Sequence, residues 1–130
     1  MDCWIERVGT RGRKTLVPIV DAHCKPGTVF TSDKWRAYYE LEKHLETEDC
    51  LHYSVNHKKN FVDPETGAHT QTVEGMWRHM KDFFPKFGLR ADHIDTYLGT
   101  FMWLRYVKQR KLDVFRFFLQ CAAQYEHNVY

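Results

Sequence analysis

The sequence predicts an α/β layer architecture, and three observations carry that prediction. Short β-prone stretches at 3–8, 28–31 and 51–55 alternate with stretches of helical period. At 130 residues, 43% of them hydrophobic and 15% aromatic, the chain has the length and apolar content for one domain with a real core. Pro26-Gly27, Asp63-Pro64, Thr66-Gly67 and the stretch from Pro85 to Gly88 punctuate the changes of period.

Cys3 to Val8 reads as the first strand, followed by the basic turn Gly9 to Lys14. From Thr15 to Cys24, Leu16, Ile19, Val20 and His23 recur at helical spacing, with Pro18 in the first turn, where proline costs little. Thr28 to Thr31 reads as a short buried strand, with Ser32-Asp33 at its carboxyl end. A helix is expected from Lys34 to about Glu46, with Trp35, Tyr38, Tyr39, Leu41 and Leu45 inward. Leu51 to Val55 is the third strand. A polar loop follows, then a helix near Thr72 whose apolar face is Val73, Met76, Trp77, Met80 and Phe84.

Two more helices close the chain. One carries Ile94, Tyr97, Leu98, Phe101 and Leu104, after which the apolar character passes to Tyr106. The other carries Leu112, Phe115, Phe118, Leu119 and Ala122. On periodicity, Trp35, Tyr38, Trp77, Trp103, Phe115 and Phe118 are mostly core side chains. Three short strands make a poor central sheet, so further strands are expected upstream.

A net charge of +2 is far below that of proteins that bind nucleic acid by bulk electrostatics alone. Cys3, Cys24, Cys50 and Cys121 are scattered without a CxxC pair, and no export signal opens the chain, so reduced thiols in an intracellular protein are expected. No apolar run approaches the length of a membrane span.

Asp33 sits between a strand and a helix, where open α/β sheets gather ligands; a plain helix N-cap competes with that reading. Glu74 opens a later helix, with Arg78 and Lys81 at i+4 and i+7. Two such carboxylates suit Mg²⁺, which prefers oxygen ligands, and paired metals serve in-line attack at a phosphodiester. Spacing alone does not separate this from a solvated helix face. A zinc reading of Cys50, His52, His57 and His69 fails the usual ligand spacing.

The segments Pro26-Gly27-Thr28, Ser32-Asp33-Lys34-Trp35-Arg36-Ala37-Tyr38, Val55-Asn56-His57, Asn60 to Pro64 and Gly67-Ala68-His69-Thr70-Gln71-Thr72-Val73-Glu74 together resemble a Merlin-type DDE transposase, a group related to bacterial insertion-sequence transposases. Trp77 to Lys81 and Tyr97 to Arg105 continue the match, which covers nearly the whole chain. The resemblance implies an RNase H-like fold with an Asp, Asp, Glu triad that binds Mg²⁺ or Mn²⁺ and cuts and joins DNA at element ends and targets. Asp33 matches the second acid and Glu74 the third. Lys81 matches a residue expected to contact DNA, with Arg78, Lys58 and Lys59 as further phosphate contacts. Asn56, His57, His69 and Thr70 fall in the signature loop beside the site.

In the family the first acid lies on an earlier strand. The expectation is therefore a partial transposase domain over 1–130, lacking its first two strands: an α/β core remnant over about 1–84 and C-terminal helices over about 91–126. It is expected to be inactive alone, binding metal only with a completed triad, marginal in stability or associating through an exposed strand edge. No membrane or small-molecule partner is expected, and the eukaryotic affiliation implies the nucleus. The alternative is a non-catalytic DNA-binding remnant or a domesticated interaction module, in which Arg11, Arg13 and Lys14 join the phosphate contacts.

Overall fold

A computed structural model describes residues 3–56, 62, 67 and 69–127. The chain is a mixed α/β protein with, among those residues, four α-helices and a small parallel sheet of two strands. It divides into two compact units, Val8–His79 and the combination of Met1–Arg7 with Met80–Tyr130.

In the first unit, helix α1 (Arg13–Ala22) precedes strand β1 (Val29–Asp33), and β2 (Leu51–Val55) pairs with it in parallel from Val29↔Leu51 to Asp33↔Val55. The helix starts two residues earlier than the apolar spacing suggests, because Thr15 N–H and Leu16 N–H both bond to the carbonyl of Gly12. Pro18 is thereby moved out of the first turn into the helix interior, where it cannot donate to the Lys14 carbonyl.

The stretch expected to be one helix from Lys34 to about Glu46 is instead two 3-10 turns, Arg36–Tyr38 and Leu41–Lys43, separated by Glu40 in the left-handed region at φ 49°. The cause is Arg13. Its guanidinium donates to the carbonyls of Ala37 (3.4 Å) and Tyr39 (3.0 Å), the acceptors a continuous helix would offer to Leu41 and Lys43. Ala37, Leu41 and Val55 are the buried apolar residues of this unit among the described residues. β1 is not the fully buried strand expected, since Val29 is 55% exposed. Alternation leaves Val29, Thr31 and Asp33 exposed while Phe30 and Ser32 are half-buried.

Asp21, near the end of α1, fixes the approach to β2. One of its carboxylate oxygens accepts from the N–H of Glu46 (3.1 Å) and from both the N–H (3.1 Å) and hydroxyl (2.8 Å) of Thr47. The Thr47 hydroxyl, then its N–H, and also the Glu46 N–H hold this carboxyl below its ordinary pKa, against some desolvation.

Helix α2 (Gln71–Phe83) begins in the first unit and ends in the second. Its expected apolar face is only partly covered: Met80 is buried, whereas Val73 and Trp77 are exposed. In the second unit, α3 (Ile94–Gln109) and α4 (Val114–His127) follow. The predicted stripe of α3 holds, with Leu98 and Phe101 buried, but Val107 rather than Tyr106 completes it. Phe83 and Phe84 pack on the rings of Phe101 and Tyr97.

The stripe expected to face inward on α4 faces outward, with Phe115 69% and Phe118 56% exposed. Phe117 takes the inner position, stacked on Trp103 (5.9 Å) and Tyr106 (5.7 Å). Phe115, Phe117 and Phe118 surround the helix with aromatic rings, so period alone did not select the packed side.

Residues 3–8 are not a strand. With no partner strand at hand, the Ile5 N–H goes to the Met102 sulfur (3.2 Å) and the Arg7 guanidinium to the Ala91 carbonyl (2.9 Å). Ile5 is nevertheless buried. The four cysteines are free thiols. Among the described residues, no helix is long and apolar enough to cross a membrane.

Two expectations follow. Leu41→Ala, at a side chain only 2% exposed, should cost about 2–5 kcal/mol in a urea titration. A carboxyl with a depressed folded pKa contributes stability above its unfolded value of about 4 and loses it as pH falls through the folded pKa. Asp21→Asn should therefore melt below the unsubstituted chain at neutral pH, and the gap in Tm should close in acid.

Candidate functional site

Asp33 is the last residue of β1, and its register partner Val55 is the last of β2, so Asn56 leaves the sheet from the same edge. In a parallel sheet both strands deliver their carboxyl ends to that edge, which is where α/β folds place ligands. Asp33 is exposed, and its Oδ1 accepts from the N–H of Trp35 at 3.2 Å. This is local capping, the plainer of the two readings of Asp33, and it engages one carboxylate oxygen.

The residues around Asp33 form a cavity of about 330 Å³ that includes Trp35, Tyr38, His52 and Ser54. Burial first, and then the Asp33 charge, push the Tyr38 phenol above its ordinary pKa, with Arg11 opposing. The Ser32 hydroxyl holds His52 at 2.8 Å on Nε2, and Glu42 Oε2 lies 3.4 Å from Nδ1 on the other side of the ring. Its imidazole is thus committed to the sheet, which removes it from the zinc arrangement weighed above.

Glu74 lies in the first turn of α2 and is exposed. The helix starts at Gln71, one residue before Thr72 and thus near the expected place, with the Thr70 carbonyl accepting the Glu74 N–H at 3.0 Å. The buried Thr70 also donates its hydroxyl to Glu74 Oε1 at 3.1 Å, fixing the carboxylate over the start of the helix. Asp33 and Glu74 belong to the same unit. Arg78 and Lys81 are exposed on the same helix. His69 is exposed and pairs through its backbone with Val62 in an antiparallel bridge, and Asn56 is half-buried. His57, Lys58 and Lys59 lie outside the described residues.

Asp33 and Glu74 offer the hard oxygen donors that Mg²⁺ takes, and Mg²⁺ is commonly bound by one or two carboxylates with substrate phosphates completing the shell. Among the described residues no group of three or more His, Cys, Asp or Glu is placed to hold a metal ion. The donor chemistry fits; an all-protein cage is absent among those residues.

Sequence reasoning gave Trp35 and Arg36 no role at the site. Both lie immediately downstream of Asp33, and Trp35, expected in the core, is 42% exposed. Arg11 stacks on its ring at 4.6 Å, and the Trp35 indole N–H donates to the Arg11 carbonyl at 3.1 Å. The run Arg11-Gly12-Arg13-Lys14 was the available clue.

The chain matches the ISXO2-like transposase domain over residues 1–105 and belongs to that family. An uncharacterised transposase-like protein of Haemophilus influenzae is 28% identical over 90 residues, which cover 68% of this chain and 68% of the relative. No solved structure matches the chain.

The Thr70–Glu74 contact yields a direct test. Thr70→Val should cost about 1 kcal/mol and speed amide exchange across the first turn of α2, measured by hydrogen exchange.

Proposed function

We propose that this chain is a DNA-handling transposase domain in which Asp33 and Glu74 are the second and third acids of a metal-binding triad. The family match over residues 1–105 carries the reading. The position of Asp33 at the carboxyl edge of the parallel pair, exposed and lining a cavity, supports it. An RNase H-like core is the arrangement the resemblance implies around that pair, with DNA at element ends and targets as substrate.

In this proposal the two carboxylates hold Mg²⁺ or Mn²⁺, which, when bound, stabilises the attacking and leaving oxygens of phosphodiester displacement. The remaining roles fall to the chain itself. Thr70 orients Glu74 through its hydroxyl, and the Trp35 N–H fixes one oxygen of Asp33. Arg78 and Lys81, exposed along α2, engage phosphates and set register without reading sequence. Lys58 and Lys59 extend those contacts, and Asn56, His57 and His69 border the site. Association of copies through the exposed strand edge belongs to the same reading. The Merlin-type affiliation and a nuclear place of action rest on the signature-loop resemblance; the relative from Haemophilus influenzae is bacterial.

A second reading, DNA binding without chemistry, is favoured by one observation: Arg11, Lys14 and Arg36 make no ion pair with any carboxylate among the described residues. The two readings part over metal. With a polypeptide that supplies the first acid, Asp33→Ala and Glu74→Ala should each abolish Mg²⁺-dependent strand cleavage while leaving metal-free duplex binding within about twofold. Cleavage that survives either substitution would remove that residue from the triad.

A further inference from the structure

We infer that the start of α1 and the turn after β1 together form a phosphate-binding subsite for a nucleic-acid backbone, with Arg11, Lys14 and Arg36 as its cations. This rests on the DNA-handling reading and adds a contact surface that the family's acids and the α2 cations do not include.

The observations are local and mutually independent. Arg11, Arg13, Lys14 and Arg36 line one cavity of about 550 Å³ together with Trp35. Four cations around one concavity repel one another, and no carboxylate of the described residues comes within 4.0 Å of any of them. Arg13 is occupied by the carbonyls of Ala37 and Tyr39 and by His44 Nε2 at 2.7 Å, so its role is to build the wall. Arg11, whose guanidinium lies over the Trp35 ring, Lys14 and Arg36 are exposed and make no ion pair with a carboxylate of the described residues. A cavity of unneutralised cations with a fixed wall is suited to a polyanion.

The beginning of α1 adds to this. The N-cap residue is Gly12, which supplies no side-chain acceptor, and the first turn holds no acidic residue. Gly12 and the first two helical residues, Arg13 and Lys14, line the same concavity, at the positive end of the helix dipole.

Trp35 connects this subsite to Asp33. Its side chain lines both the basic cavity and the cavity that contains Asp33, and its N–H bonds to Asp33 Oδ1. Arg36 lines both cavities as well, so the two share a wall, and in this proposal one strand occupies both. Several cations on the lining of one cavity argue for a phosphodiester chain over a single phosphate.

The test is binding of a fluorescein-labelled short duplex, without metal, measured by anisotropy across a salt series. The pair Arg11→Gln and Lys14→Gln, combined in one variant, should weaken binding about tenfold or more near 0.15 M salt. The slope of log K against log salt should become shallower by about 2, since each phosphate contact contributes about 0.9. Arg36→Gln should act in the same direction. Arg13 is left unchanged to preserve the fold, and Arg116→Gln on α4 should bind as the unsubstituted chain does. Inorganic phosphate at matched ionic strength should not displace the duplex; displacement would make this a free-phosphate site and overturn the assignment. If the unsubstituted chain shows no salt-dependent binding, the DNA-handling reading falls, and the subsite with it. If it binds and the double variant keeps both affinity and slope, the subsite alone is overturned.

Discussion

The first unit depends on where one guanidinium goes. Arg13 leaves the first turn of α1 and takes the carbonyls of Ala37 and Tyr39, which cancels the helix that local sequence favours after β1. A helix there would have run its residues along one axis away from the sheet. The broken crossover instead turns back at Glu40 and inserts Leu41 into the core. A charge-assisted bond of this kind is worth more than the neutral backbone bond it replaces, which lets a single side chain overrule a stretch of helical propensity. The same interaction determines what surrounds Asp33, because Trp35, Tyr38 and Tyr39 all belong to the redirected segment.

This explains which parts of the architecture were legible in the sequence. The strand Leu51–Val55 has the predicted bounds, and Asp33 stands at the end of its strand as its neighbours suggested. Both features rest on short-range patterning: a β-prone run, a period of two, a turn dipeptide. The crossover was not legible, because the deciding contact joins Arg13 to residues more than twenty positions away. Residues 3–8 fail for a related reason. Their composition is that of a strand, but a strand also needs a partner, and the Ile5 N–H finds a sulfur instead. For α4, the aromatic Phe117 lies beside the expected stripe, and the rings of Trp103 and Tyr106 select it over Phe115 and Phe118.

Of the candidate site, the two acids were legible as positions and the cations were legible only in part. Glu74 opens its helix, and its support by Thr70 follows from spacing of four within one turn. Arg36 and Trp35 carried no such pattern. They became part of the site because the crossover folds back towards the start of α1, a consequence of the Arg13 contact that no local motif announces.

Net charge is a poor guide to this chain for the same reason. A balance of +2 suggests a nearly neutral protein, yet the residues of each sign are segregated. From Arg7 to Lys14 there are four cations and no acid, while from Glu40 to Asp49 there are five acids and a single lysine. Screening limits the reach of a charge to about 8 Å at physiological ionic strength, so a partner at the start of α1 senses the local cations rather than the sum over the chain. The acidic segment, for its part, is partly spent internally, with Glu40 on Lys43. At the start of α1, Arg11 lies over the Trp35 ring and Lys14 makes no ion pair among the described residues, while the Arg13 guanidinium is used for architecture. A near-neutral domain with an unneutralised basic concavity next to an exposed acid is therefore consistent with local, backbone-directed contact to DNA, in which a few positioned charges matter more than the total.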